Sequence, residues 1–141
     1  MIFGFSLFKK KKYPGKSLVI IDRDKAALDK IKKICEEHEI KCFTAYDPTA
    51  GLKLVTSHKP YAAVLSADYA TDLTRLRKAH KEYENLLVII LAEEKWANSR
   101  QALVDALIKT GAQEFVAKPV SATNLMTVVQ RLFENKAITS K

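Results

Sequence analysis

Glycine is scarce in this 141-residue chain: four residues, at positions 4, 15, 51 and 111, each isolated from the others. A Gly-rich phosphate loop of the dinucleotide or Walker type cannot be built from them. Cysteine is scarcer still, at two residues, which excludes a disulfide-stapled secreted scaffold. No apolar run approaches the roughly 20 residues that a membrane-spanning helix needs. The opening residues 1–8 (MIFGFSLF) are apolar, but lysines follow them rather than precede them, so they read poorly as a signal peptide. A cytoplasmic protein is the expectation. Acid is the remaining deficit, with 16 Asp and Glu against 24 Lys and Arg, a formal net charge of +8. What is present is a globular composition, 48% hydrophobic and 28% charged, in a length that suits one domain.

A net +8 points first to polyanions, but the charge is unevenly placed. Lys9, Lys10, Lys11, Lys12 and Lys16 stand in a leader, residues 1–16, that contains no acid. The remaining 125 residues hold 19 basic and 16 acidic side chains, an ordinary mixed surface. The leader has two readings. It is a tail untied to the core, or an apolar plug with four lysines that docks reversibly on an anionic membrane surface or a partner.

Beyond the Tyr13-Pro14-Gly15 turn signal, short apolar runs alternate with helical periodicity. Strands are expected at residues 17–21 (SLVII), 40–45 (IKCFTA), 61–66 (YAAVLS), 86–91 (LLVIIL) and 113–116. Helices are expected from Asp24 as N-cap to about 38, with Leu28, Ile31, Ile34 and Cys35 inward. A second runs from Asp47-Pro48 to about 58. A third covers 72–83, with Leu73, Leu76 and Ala79 inward, and a fourth 96–110, with Leu103, Ala106 and Leu107 inward and Gly111 as its stop. The last covers 121–135, with Leu125, Val128, Val129, Leu132 and Phe133 on one stripe. Five β-α units in strict alternation predict an α/β, doubly wound, five-stranded parallel sheet over residues 17–136, with 137–141 as a short tail. In such folds the chemistry sits at the carboxyl ends of the strands.

Those ends read Asp22-Arg23-Asp24, Ser66-Ala67-Asp68, Ala92-Glu93-Glu94 and Ala117-Lys118-Pro119. The IID ending of the first strand and GAQEFVAKP at 111–119, within a five-unit α/β chain, resemble the receiver domain of response regulators (CheY-like, flavodoxin-like fold) over residues 17–135. The resemblance implies two-component phosphorelay signalling. Its chemistry requires an acidic pair after the first strand that holds Mg²⁺, an aspartate closing the third strand that accepts phosphate, a hydroxyl closing the fourth, and the Lys of the Lys-Pro pair.

Carried over by position, few of these parts remain. Asp22 matches the first acid, Arg23 stands in place of the second, and Ser66 falls on the phosphoacceptor position. Ala92 replaces the hydroxyl residue, while Lys118 and Pro119 are retained, their peptide bond cis where the resemblance extends to it. Arg23 can pair with Asp22 without a metal. Lys118 is free to bond Asp22 or the Ser66 hydroxyl, and the serine has only Asp68 or Asp22 to serve as base. A pocket closed by ion pairs is expected, with Mg²⁺ binding lost or weak, no other cofactor and no aspartyl phosphate. Asp68 becomes the phosphoacceptor only if the third strand slips by two residues, which preserves facing. The order of Lys59-Pro60 and the apolar run favours Ser66, with Asp68 capping or filling a loop.

Cys35, His38 and Cys42 mimic a zinc spacing, but the cysteines fall on apolar faces and no fourth ligand lies nearby, so core cysteines are expected. His58 and His80 read as solvated. Trp96 reads as a core-edge residue or a partner contact. By resemblance the contact face is the one formed by the fourth helix, fifth strand and fifth helix, with Trp96, Lys109, Phe115 and Pro119, and the same face commonly mediates receiver homodimers. A non-enzymatic, phosphorylation-independent protein-binding function is therefore expected. The alternative is a single-domain response regulator phosphorylated unconventionally on Asp68 or Ser66. A third reading, leader-dependent membrane or nucleic-acid binding, would place the protein at the inner membrane face; the body lacks a helix-turn-helix or a basic-aromatic strand array, so nucleic acid is not expected.

Overall fold

The computed structural model describes residues 11–93 and 100–139. Five parallel strands are ordered β2-β1-β3-β4-β5. They are β1 (Ser17–Ile21), β2 (Lys41–Ala45), β3 (Ala62–Ser66), β4 (Leu87–Ala92) and β5 (Glu114–Ala117). The helices are α1 (Lys25–Glu37), α2 (Pro48–His58), α3 (Ala70–Ala79), a single turn α4 (Lys81–Glu84), α5 (Arg100–Thr110) and α6 (Ala122–Thr139). The expected α/β doubly wound sheet is what forms.

The chain steps from β1 outward to β2 and then back across β1 to β3. That reversal creates a crevice at the carboxyl ends of β1 and β3, where such sheets bind ligands. Both faces are covered, so the strands alternate between two cores. Leu18, Ile20, Val64, Ile89 and Leu91 face α1 and α6, meeting Ile31, Leu125 and Val129. Val19, Ile21, Ala63, Leu65, Val88 and Ile90 face the other side, with Val55, Leu73 and Tyr83. Burying one such aliphatic side chain contributes about 1.5–3 kcal/mol, and a strand apolar on both faces has no stable alternative position.

Local chemistry sets the element ends. Asp24 caps α1 by accepting from the Ala27 amide at 3.3 Å, and Asp47 caps α2 through Ala50 at 2.8 Å. Gly111, at φ +70°, follows α5. Four expectations need correction. The helix expected at 72–83 is two pieces, because His80 is extended (φ −133°, ψ 123°) and the Arg77 guanidinium donates to the Glu84 and Leu86 carbonyls at 3.4 and 2.7 Å. Ala79, expected inward, is exposed, since the helix ends there. His80 is half-buried at that break. His58 is exposed but not merely solvated: its ring stacks on Phe43 with centroids 3.8 Å apart.

The described part of the leader lies against the body. The Tyr13 amide donates to the His38 carbonyl at 2.8 Å, and a His38 ring nitrogen meets the Lys11 carbonyl at 2.7 Å. The Tyr13 ring packs edge-on against Phe133. Lys11 pairs with Glu134 and Lys12 with Glu39. Lys9, Lys10 and the apolar residues before them lie outside the described residues.

Candidate functional site

Asp22 is the first residue beyond β1, with its amide bonded to the Ala45 carbonyl at 3.1 Å. Its side chain is 2% exposed. Oδ1 accepts from the Asp24 amide at 3.0 Å, and Oδ2 lies 2.6 Å from the Lys118 ammonium. Lys118 reaches it from the far side of β4. Its amide donates to the Ala92 carbonyl at 2.8 Å, and the Lys118–Pro119 peptide is cis. Asp24 lies at 3.8 Å from the same ammonium through Oδ2, while its Oδ1 caps α1.

Ser66 closes β3, paired in register with Leu91, and is buried. Its Oγ accepts from the Asp68 amide at 3.3 Å, capping the 3₁₀ turn Ala67–Tyr69. Asp68 lies in that turn, exposed. Ala92 is fully buried at the end of β4, opposite Ala117.

Arg23 departs from expectation. Its side chain is exposed and its guanidinium lies over the Tyr69 ring, 5.5 Å from the centroid, rather than on Asp22. Two causes combine. Lys118 already occupies Asp22, and the next residue along a strand end points the opposite way. Tyr69 is buried and its hydroxyl donates to the Tyr46 carbonyl at 2.6 Å. The loops after β1, β2 and β3 are thereby joined through residues the sequence reading passed over. Tyr69, an aromatic directly after Asp68 just beyond the third strand, was the available signal.

Among the described residues, no three His, Cys, Asp or Glu side chains are placed to hold a metal ion. Cys35 is buried and Cys42 half-buried, both in the core on the α1–α6 side. The Cys35 thiol pKa is raised, first by its hydrogen bond with Cys42 and then by burial, so the thiolate that metal ligation requires is disfavoured.

On the expected contact face, Phe115 and Lys109 are exposed, as is Pro119, while Trp96 lies outside the described residues. Two further apolar residues stand out on that face. Val104 is 39% and Ile108 76% exposed, one turn apart on α5. Their signal was present in the sequence, as apolar residues at i and i+4 off the Leu103, Ala106, Leu107 stripe. Among the described residues, no helix is long and apolar enough to cross a membrane.

Neither protein-family models nor curated proteins match the chain. Solved structures do. The receiver domain of the Francisella response regulator 1452 superposes with a TM-score of 0.72 at 25% identity, over 86% of this chain and 99% of that one. NtrX from Brucella abortus, solved with ADP, gives 0.74 at 22% identity over 88% of this chain, which spans only 27% of the NtrX chain. A two-component response regulator from Clostridium difficile gives 0.70 at 21%, over 84% and 96%. Five strands in this order and these superpositions agree that the fold is that of response regulator receiver domains.

Proposed function

We propose that the chain is a receiver-like module of two-component signalling that acts by binding another protein, without phosphorylation and without catalysis. One observation carries this reading: the ammonium of Lys118 is spent on Asp22 at 2.6 Å, at the carboxyl end of the sheet where Ser66 closes β3. A receiver uses that lysine for an incoming phosphoryl group. Here it neutralises a carboxylate already in place. The Ser66 oxygen accepts an amide and caps a turn, and Asp68, the alternative acceptor, sits in that turn beyond the end of β3.

The donor set does not fit Mg²⁺. That ion requires octahedral oxygen donors at short range. One Asp22 oxygen and one Asp24 oxygen face an ammonium, the other two accept backbone amides, and the third position offered is a guanidinium turned outward. What remains functional is the surface. Val104, Ile108 and Phe115, with Lys109 and Pro119 at its borders, give α5 and β5 an exposed apolar face suited to a protein partner, including a second copy of this chain.

The test is incubation of the chain with Mg²⁺ and acetyl phosphate, followed by intact mass. An unchanged mass is expected. A phosphoryl adduct overturns the reading, and Ser66→Ala and Asp68→Ala then locate it.

A further inference from the structure

The opposite end of the sheet, where the strands begin, carries a feature that the receiver reading leaves unused. Three grooves open there. One of about 380 Å³ is lined by Lys16, Lys41 and His58, among others. A second, of about 260 Å³, is lined by Lys59 and Asn85. A third, of about 550 Å³, is lined by Lys78, His80 and Lys81. The acids lining them are Glu39, which pairs with Lys12 at 3.4 Å, and Glu84. Lys41, Lys59, Lys78 and Lys81 are all exposed and have no carboxylate partner among the described residues.

Helix geometry accounts for part of this. Helix carboxyl ends attract cations, and Lys59 and Lys78 sit at such ends. Lys41 and Lys81 do not. Lys41 opens a strand, and Lys81 lies in the single turn α4, too short to present distinct charged ends. The leader enters the fold at the same place, fixed by the Lys41 amide on the Lys16 carbonyl at 3.0 Å and by Tyr13 on His38. Upstream in the sequence come Lys9 and Lys10, then Phe8, Leu7, Phe5, Phe3 and Ile2. Basic residues around a cluster of apolar ones suit the headgroup and acyl boundary of a bilayer. A single-stranded polynucleotide would instead require free aromatic rings for stacking. Here Phe43 is covered by His58, and Tyr61 lies under the Lys16 ammonium at 4.1 Å.

We propose that this end of the sheet is an electrostatic docking face for an anionic lipid bilayer, with Lys41, Lys59, Lys78 and Lys81 as its contacts. The domain then stands end-on, its Asp22–Lys118 end turned away from the lipid and the α5–β5 face on its flank, open to a protein partner. This surface is independent of the phosphorylation question, so either proposal can fail alone.

The test measures co-sedimentation of the full chain with phosphatidylcholine vesicles containing about a third phosphatidylserine, and with vesicles of phosphatidylcholine alone. Binding to the anionic vesicles only, falling with added salt, is expected. The variant Lys41→Gln, Lys59→Gln, Lys78→Gln, Lys81→Gln should lower the partition coefficient at least about tenfold, since each lysine at such a surface contributes about fivefold. A control variant removes the same charge from α1: Lys25→Gln, Lys30→Gln, Lys32→Gln, Lys33→Gln. It should bind nearly as the parent does, and thermal melts of both variants establish that each is folded. Four results overturn the proposal: no preference for anionic vesicles; undiminished binding by the first variant, which assigns everything to the leader; equal loss in the control, which assigns it to net charge; or displacement from vesicles by duplex DNA or polyglutamate at lower charge concentration than lipid, which assigns the face to another polyanion.

Discussion

Asp22 and Lys118 meet at 2.6 Å at the carboxyl end of the sheet, with side chains 2% and 13% exposed. At the amino end Lys12 and Glu39 meet at 3.4 Å, 46% and 56% exposed. The charges are of the same kinds, and only the surroundings differ. Inside, two ions removed from water must hold each other, because either one alone is costly. Outside, water and salt do most of the neutralising, and the pair contributes little. The carboxyl end therefore spends its buried charge on an internal pair, beside a groove of about 400 Å³ lined by Asp24 and Lys118, so the closed pocket expected from the sequence is not what forms. The amino end leaves Lys41, Lys59, Lys78 and Lys81 without carboxylate partners among the described residues.

Removing one partner of the buried pair is the sharpest way to test this contrast. Asp22→Asn leaves the Lys118 ammonium without its carboxylate and should lower unfolding stability by about 3–5 kcal/mol in urea titration. Adding Lys118→Met should restore most of the loss, because no unpaired buried charge then remains. If Asp22→Asn costs under about 1 kcal/mol, the pair is as solvated as its counterpart at the other end, and the buried-pair reading fails.

Next in size is the packing just beneath that pair. Gly51 on α2 lies against Ile21, the last residue of β1. An added Cβ would stand 2.8 Å from Ile21 Cγ1, closer still to Cδ1, and 3.5 Å from the Tyr83 hydroxyl. Gly51→Val should cost about 1–3 kcal/mol by overpacking, read as a lowered denaturation midpoint. No comparable constraint surrounds Gly15 near the leader, where a Cβ meets nothing within 4 Å, although its φ of +87° still favours glycine.

These two ends were not equally legible in the sequence. Strands apolar on both faces announce a parallel sheet, and the sheet's reversal fixes where Asp22, Ser66 and Lys118 converge. The Asp22–Lys118 pair was one of the two bonds anticipated for that lysine. Arg23 was misjudged because strand-end alternation decides direction, while charge complementarity alone suggested the carboxylate next to it. The break at His80 was hidden because residues 72–83 keep helical spacing across it, and it is a tertiary contact, Arg77 on the Leu86 carbonyl, that ends the helix. The lysines of the amino end are scattered over positions 41, 59, 78 and 81, so no sequence window shows them as one surface. Only the parallel order of the strands collects them.

Tyr83, whose hydroxyl points into the core toward Gly51, offers a pH test between the two ends. Its side chain is fully buried, its hydroxyl has no hydrogen-bond partner among the described residues, and burial pushes its pKa up to about 12. Below about pH 10, the ordinary tyrosine value, folded and unfolded chains are both protonated there, and the group adds no pH dependence. Above pH 10 the unfolded chain loses the proton first, so stability falls as pH rises toward 12. Melting temperatures between pH 9 and 12 should drop more steeply in the parent than in Tyr83→Phe, whose curve should flatten by this one group's share. Identical slopes would place the hydroxyl in contact with water.

The smallest expected effect belongs to the exposed pair that opened the comparison. Lys12→Gln should change stability by less than about 1 kcal/mol, and still less in high salt. The leader residues 11–16 do not depend on that ion pair for their position, because Tyr13 bonds the His38 carbonyl and packs its ring on Phe133, contacts that salt does not screen. Urea titrations of Lys12→Gln at low and high salt separate the two contributions. A loss approaching that of Asp22→Asn would mean that Lys12 is a clasp of the fold, and the amino end would then have one fewer charge to offer a bilayer. A negligible loss leaves its lysines as the available charges that the contrast between the two ends requires.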